Sequence, residues 1–368
     1  MSLSSNKLRV KTVNVVADPF VNHSITNMPC FWKYGVQVII GLTLFPIRMA
    51  VLLFVALPLT LICLIPYSAC FNLCCGNKKP ITEDDEKPLG VCRSCWVYPL
   101  RCLNRLLLWC FGFMWISIIR KPGSTSSCCA KPSVIVANHT ALMDAMFMNW
   151  FYSPMAVGKA EIKKIPIAGA TATAFQAILV NRKSADSKQK VLRDIKNRTK
   201  KGSKWPPLLI FPEGTCTNGK VLVQFKRGPF TAQRPVQPCI LKYWSPYLEL
   251  CACGDNDRVG MGKAFLLMML QPFNTLTVTL MPIYEPSSDE MENAILYANN
   301  VRAEMAKEMN VGTTVSKYKS EGASIANGST VVDISIYPPS IKPVSLSLSR
   351  FPLSITPKQV FFNPINIF

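Results

Sequence analysis

Two histidines occur in the 368 residues, His23 in a polar N-terminal arm and His139 in the run VANHTALMD. If a histidine does acid–base work, His139 is the candidate. It follows a β-branched run, Ser133 to Ala137 (SVIVA), and precedes an apolar helical run, Ala141 to Trp150. That is a strand-to-helix turn, where side chains of an α/β sheet face a ligand crevice. Asp144 stands five residues on. Residues five apart on one continuous helix diverge by about 140°, so the two do not share a helix face. With His139 in the turn and Asp144 on the helix, the carboxylate can reach back to one ring nitrogen, fix the tautomer and leave the other nitrogen as a base. A helix-capping turn with a solvated histidine is the other reading of this spacing.

A second element, IFPEGTCTNGK from Ile210 to Lys220, also follows an apolar strand. Gly214 permits unusual backbone angles there, and backbone N–H groups with the Thr215 and Thr217 hydroxyls suit an oxyanion or a phosphate. Glu213 is an acceptor suited to hydroxyls, and an ordinary strand-ending turn is the alternative. Arg182 after ILVN, and Lys226 with Arg227 in QFKRGPF, place cations at other loop positions, as an anionic ligand needs. The run Lys188 to Lys204 holds eight Lys/Arg against one Asp; it reads as a solvated face or as a patch for anionic lipid or coenzyme phosphates. No G-x-S-x-G elbow, HExxH motif or second nearby histidine occurs, so neither an enzyme serine nor a metal is expected. A base without either leaves the substrate's own hydroxyl as nucleophile.

The elements that must position these groups are an alternation of short apolar runs with helical stretches: Ser133 to Ala137, Gln176 to Val180, Leu208 to Phe211, Val236 to Tyr243 and Thr275 to Tyr284. Such alternation predicts an α/β fold, a largely parallel sheet with covering helices. Ser287 and Glu290 form a candidate capping box ahead of a long amphipathic run to Met309. The domain plan is a basic polar arm over 1–35, membrane-associated apolar helices with a Cys-rich connector over 36–120, a catalytic domain over 121–319 and a low-order tail over 320–368.

Within the apolar region, Met49 to Pro66 spans about 27 Å as a helix, close to a hydrocarbon core of about 30 Å. Arg48 is the only charge from Val36 to Pro66. Two arrangements are open, a tilted span with Arg48 reaching an interface or a hairpin bent near Pro46. The run Leu106 to Ile119, flanked by Arg101, Arg105, Arg120 and Lys121, is too short to span and reads as interfacial or packed on the catalytic domain. Cys70, Cys74, Cys75, Cys92 and Cys95 lie between the two runs. They read as reduced juxtamembrane cysteines, palmitoylated in one version; adjacent Cys74 and Cys75 fit tetrahedral zinc poorly.

A net charge of +20 with 49% hydrophobic residues and a mean hydropathy of +0.21 excludes a disordered basic protein and points to a membrane surface. Ribonucleoprotein, zinc-finger and recognition-helix patterns are missing, so nucleic acid is not an expected partner. Fifteen cysteines without a repeated spacing argue against a secreted disulfide scaffold. Of four N-x-[ST] sequons, the one at Asn138 touches the candidate base, so a glycan there would contradict a cytosolic site.

HTALMD, ILVNR, FPEGTCTNG with QFKRGPF, and VQPCILKY stand in the order and approximate spacing of the four motifs of the glycerolipid acyltransferase (PlsC-type) family. From Asn138 to about Gly312 the chain resembles the lysophosphatidylcholine/lysophosphatidylethanolamine acyltransferase branch, above all in EGTCTN, VQPCILKY and YANNVRAEMAKEMNV. It departs from that branch at Asn181, at Lys226-Arg227-Gly228-Pro229 and in a shorter stretch from Trp244 to Met269. The resemblance implies a glycerolipid acyltransferase-type fold and a membrane-bound enzyme moving an acyl group from acyl-CoA, its co-substrate, to a lysophospholipid hydroxyl, with no further cofactor. It implies His139 as base, Asp144 as its orienting partner, Arg182 as a phosphate contact, Glu213 and Gly214 in the acceptor pocket with Thr215 and Lys226 beside them, and the Pro238 segment shaping the acyl site. It also implies an endoplasmic-reticulum membrane with the catalytic domain facing the cytosol, in line with reduced Cys216 and Cys239. Acylation of lysophosphatidic acid or glycerol 3-phosphate shares all four motifs, and an inactive lipid-binding scaffold is the rival from another class. The oligomeric state is left undetermined.

Overall fold

The structure is a computed structural model, and it describes residues 30–64, 88, 91–124, 132–141, 143–181, 184–246, 250 and 261–314. The N-terminal arm before Cys30, the C-terminal tail, Arg182 and Cys70, Cys74 and Cys75 lie outside these residues. The described strands are β1 Trp115–Arg120, β2 Val134–Ala137, β3 Met155–Lys159, β4 Ile178–Val180, β5 Leu208–Ile210, β6 Val221–Leu222, β7 Val236–Trp244, β8 Thr275–Leu280 and β9 Gly312–Thr313. Seven of them form one sheet in the order β1-β8-β7-β2-β5-β3-β4, while β6 and β9 pair separately. Every neighbouring pair in the large sheet is parallel except β7 with β8.

The uninterrupted VIVA of β2 reflects its central place. Ile135 and Ala137 face a core with Phe147 and Met148 of the Met143–Phe151 helix. Val134 and Val136 face the opposite core with Tyr297, Val301 and Met305 of the Ala294–Met309 helix. A strand covered on both faces reads as a run rather than an alternation. The expected mixed, largely parallel sheet with covering helices is therefore the observed one, set by residues that bury both sheet faces.

Details differ from the sequence expectations for local reasons. The run Leu106 to Ile119 is split: the Val91–Cys110 helix ends inside it, Gly112 turns the chain at φ +88°, and β1 takes the remainder to the sheet edge. The capping box at Ser287 and Glu290 is present, but the run to Met309 is two helices. Asn293 interrupts it with an extended backbone, and its side chain accepts from the N–H groups of Ile295 and Leu296. In the expected strand at Gln176 to Val180, Gln176 adopts a positive φ of 53°, so pairing starts at Ile178.

Cys30–Leu42 is helical, and Leu44–Leu64 is a second helix of 21 residues, π-helical over Leu52–Ala56. By length and composition this second helix could cross a membrane. Its outer side leaves Ile47, Leu53, Phe54, Leu59 and Ile62 exposed. Its inner side docks near both ends: Phe45, Met49 and Leu52 on the core beneath Phe147, and Cys63 with Leu64 on Val97, Leu100 and Phe175. Arg48 does not reach an interface as one arrangement required. It is buried and donates to the carbonyls of Met269 (2.7 Å), Gln271 (2.5 Å) and Pro272 (2.8 Å). Three acceptors on one guanidinium offset the cost of burying it and fasten the apolar helix to the domain.

Candidate active site

His139 sits in the turn after β2 and Asp144 on the first turn of the Met143–Phe151 helix. The reach-back geometry is present: the ring Nδ1 lies 2.8 Å from Asp144 Oδ2. The same oxygen accepts from the N–H groups of Thr140 (2.7 Å) and Ala141 (3.0 Å). The other oxygen accepts from the Tyr243 hydroxyl. Three N–H donors converging on one carboxylate oxygen fix its orientation and make Nδ1–H the proton-bearing tautomer, which leaves Nε2 as the free position. The imidazole keeps 21% of its side-chain surface exposed, whereas Asp144 has none. The pair is therefore a buried anchor behind an accessible ring, and the solvated-histidine alternative does not describe it.

Phe211, the residue after β5, stacks on the imidazole with centroids 4.2 Å apart. The Cys216 side chain stands by the same ring. Burial alone disfavours a charged ring, but the bonded Asp144 carboxylate outweighs it, with Cys216 adding in the same direction. The His139 pKa is raised well above the usual imidazole value. Tyr243 is pushed up by burial and then by the Asp144 charge, so its hydroxyl stays a donor.

The Phe211–Lys220 loop braces the His139 turn from behind. Glu213 Oε1 accepts from the His139 backbone N–H (2.9 Å), Glu213 Oε2 accepts from the Thr217 hydroxyl (3.2 Å), and the Thr217 N–H donates to the His139 carbonyl (2.8 Å). Glu213 is 3% exposed. Both of its oxygens hold the His139 turn, so Glu213 positions that turn in addition to the acceptor role expected of it. Burial lifts its pKa to about 7, against the pull of the His139 N–H and Thr217.

Gly214 stands at φ +71°, and a Cβ there would lie 2.3 Å from Lys226 Nζ. Glycine is needed twice over, for the backbone angle and for the lysine crossing above it. Thr215 is half-buried in the same loop and Lys226 is exposed beside it. The structure thus gathers His139, Asp144, Glu213, Gly214 and Lys226 at the ends of the neighbouring strands β2 and β5, and Arg182 lies outside the described residues. Asn138, the sequon residue, is buried with its amide bonded both ways to the Leu241 backbone, so the folded site offers it to no glycan. Among the described residues no group of three or more His, Cys, Asp or Glu could hold a metal.

Phe211, Cys216 and Tyr243 went unread as site residues. Tyr243 is 99 positions from Asp144, and only the register of β7 beside β2 brings it there. Its one sequence signal was its place at the end of VQPCILKY.

Residues 119–242 match the family model described as Acyltransferase. The chain is 33% identical over 270 residues to "Lysophosphatidylcholine acyltransferase" of Drosophila melanogaster, covering 73% of this chain and 50% of that protein. It is 31% identical over 300 residues to "Lysophosphatidylcholine acyltransferase 2B" of Rattus norvegicus, covering 81% and 54%. Over 212 residues it is 35% identical to "Lysophospholipid acyltransferase LPCAT4" of Mus musculus, covering 58% and 40%. Among solved structures, the 1-acyl-sn-glycerophosphate acyltransferase PlsC of Thermotoga maritima aligns with a TM-score of 0.42 and 18% identity over 69% of this chain and 95% of that one. The chain spans about half the length of the first two relatives. The family match lies over the strands and turns around His139, and the chain accordingly carries an acyltransferase domain.

Proposed function

We propose that this chain is a membrane-bound lysophospholipid acyltransferase that takes its acyl group from acyl-CoA. The observation that carries the reading is the His139–Asp144 pair, held by four donors and opening at a strand end inside the acyltransferase domain. Similarity to lysophosphatidylcholine acyltransferases supplies the substrate class.

The chemistry follows from the geometry. In its neutral form His139 takes the lysolipid hydroxyl proton on Nε2 as the oxygen attacks the thioester carbonyl. The imidazolium so formed is paired with Asp144. Collapse of the tetrahedral intermediate expels the coenzyme A thiolate, and the ring returns the proton to that sulfur. No covalent acyl-enzyme is formed, because the acceptor hydroxyl is the nucleophile. Since Asp144 raises the ring pKa, the neutral form of the ring becomes more populated and turnover rises as the pH is raised. Attachment to an endoplasmic-reticulum membrane through the exposed face of Leu44–Leu64, with the cleft on the cytosolic side, belongs to the same proposal.

The test offers labelled acyl-CoA to membranes containing the protein, with a panel of lysophosphatidylcholine, lysophosphatidylethanolamine, lysophosphatidic acid and glycerol 3-phosphate. Label entering phospholipid from a lysophospholipid acceptor supports the proposal. Label entering only the products of the last two acceptors overturns the substrate assignment, and no transfer to any acceptor overturns the activity.

A further inference from the structure

A cavity of about 510 Å³ opens at the end of the sheet opposite His139. Its floor is Pro132 with Ser133, just before β2, and Pro206 with Pro207, just before β5. His139 follows the other end of β2, so the length of the strand separates the two sites. The cavity therefore belongs to no part of the mechanism above.

Three observations define what it would take. First, among the described residues no acidic side chain lines it, while Arg101, Arg198, Lys200 and Lys204 all do. These last three close the basic run that the catalytic site left unused. Second, the two arginines are structural. Arg101 donates to the carbonyls of Trp150 and Phe151 (3.1 Å each), and Arg198 donates to the Gln176 carbonyl (3.0 Å) and lies over the Trp205 ring at 4.3 Å. That leaves Lys200 and Lys204, exposed at the rim, as the adaptable cations. Third, the wall is shared with the apolar helix: Val97 and Phe175 line the cavity and also pack with Cys63 and Leu64, the end of Leu44–Leu64. A basic recess beside the end of a lipid-facing helix suits a phosphate attached to acyl chains better than one free in water.

We infer that this cavity binds the phosphate-bearing headgroup of an anionic phospholipid that is not the reacting lipid, its acyl chains running along the exposed side of the Leu44–Leu64 helix. The inference rests on the membrane attachment proposed above, not on the chemistry at His139. It gives the enzyme a second hold on the bilayer, one that depends on lipid charge, at the end of the sheet remote from the cleft.

Trp205 lines the cavity and serves as reporter. The full chain in neutral detergent is titrated with dihexanoyl phosphatidylglycerol, dihexanoyl phosphatidylcholine, inorganic phosphate and coenzyme A while tryptophan emission is followed. The expected result is a saturable change with phosphatidylglycerol that disappears in Trp205→Phe and needs about tenfold more lipid in Lys200→Glu/Lys204→Glu, with little response to the other three. Equal response to phosphatidylcholine, an unchanged midpoint in the double variant, or tighter binding of inorganic phosphate or coenzyme A would overturn it. Acyl transfer by the double variant in neutral micelles should stay near wild type. If the wild-type chain transfers no acyl group, the catalytic proposal fails while the titration still decides this one.

Discussion

Replacing Asp144 by Asn takes one charge from His139 while leaving the scaffold of the turn in place. Oδ2 faces three N–H groups, those of the His139 ring, Thr140 and Ala141, and Oδ1 faces the Tyr243 hydroxyl. An asparagine must put its carbonyl where Oδ2 stands, because an amide there would point N–H at N–H. The Tyr243 hydroxyl can turn to accept from the amide. The tautomer is then kept, unlike the case of a serine-protease triad in which the amide inverts it at a loss of about 10⁴. What disappears is the difference between a charge-assisted bond of about 1.5–3 kcal/mol and a neutral one of about 1 kcal/mol. About 0.5–2 kcal/mol in a transition state that carries an imidazolium is about a 2- to 30-fold fall in kcat/KM on the alkaline plateau, where the ring is neutral in both proteins. The second signature is the pH profile. Without its carboxylate the ring loses the main group that raises its pKa, so the rising limb moves to lower pH. The assay is kcat/KM for acyl transfer from labelled acyl-CoA across the neutral and alkaline range. A variant whose limb stays where the wild type has it would refute the reasoning, whatever its rate.

The remaining predictions draw on the same contacts. Glu213 has a pKa near 7 when folded against 4.5 when unfolded. Its protonation thus favours the fold fully below about pH 4.5, and that contribution, about 3 kcal/mol, fades as pH rises through about 7. Glu213→Gln should flatten the pH dependence of thermal unfolding over that window, and an unchanged slope would contradict the burial argument. His139 acts in the same sense at higher pH, its stabilisation present below its unfolded value and lost as pH climbs through the raised one. Arg48→Leu strands three carbonyls and should cost at least about 2 kcal/mol in unfolding experiments in detergent. Gly214→Ala forces a non-glycine residue to φ +71° against Lys226 and should cost about 1–2 kcal/mol. Gly214→Ala/Lys226→Ala should lose less than the sum of the two single variants, and strict additivity would mean that the lysine is not the obstacle.

What was legible in the sequence was local. The His139–Asp144 pair follows from a strand, a turn and a helix start within eleven residues, Val134 to Asp144, and the two-sided burial of β2 writes itself as VIVA. The capping box at Ser287 was legible for the same reason. What was hidden depends on pairing across long separations. The Tyr243 hydroxyl, the Phe211 ring and the Cys216 thiol meet at His139 only because β7 and β5 flank β2. The strand β1 was masked by the apolar helix that runs into it. Glu213 was read only as an acceptor for substrate hydroxyls because a carboxylate after a strand end has no visible partner in sequence, whereas it also accepts from a backbone N–H 74 positions away and from Thr217. The burial of Arg48 went unread for a related reason, since its acceptors are carbonyls more than 220 positions distant.

The central claim is that His139 is the base for acyl transfer to a lysophospholipid hydroxyl. The most direct measurement is the initial rate of transfer from labelled acyl-CoA to lysophosphatidylcholine by His139→Ala and wild-type protein at matched levels in the same membranes. A general base contributes about 10²- to 10⁴-fold, and the described cleft holds no second histidine. The account therefore predicts a rate at or below about a hundredth of wild type, with expression and membrane association unchanged. A variant that keeps more than about a tenth of wild-type turnover would contradict it, since that loss is smaller than the least a general base supplies.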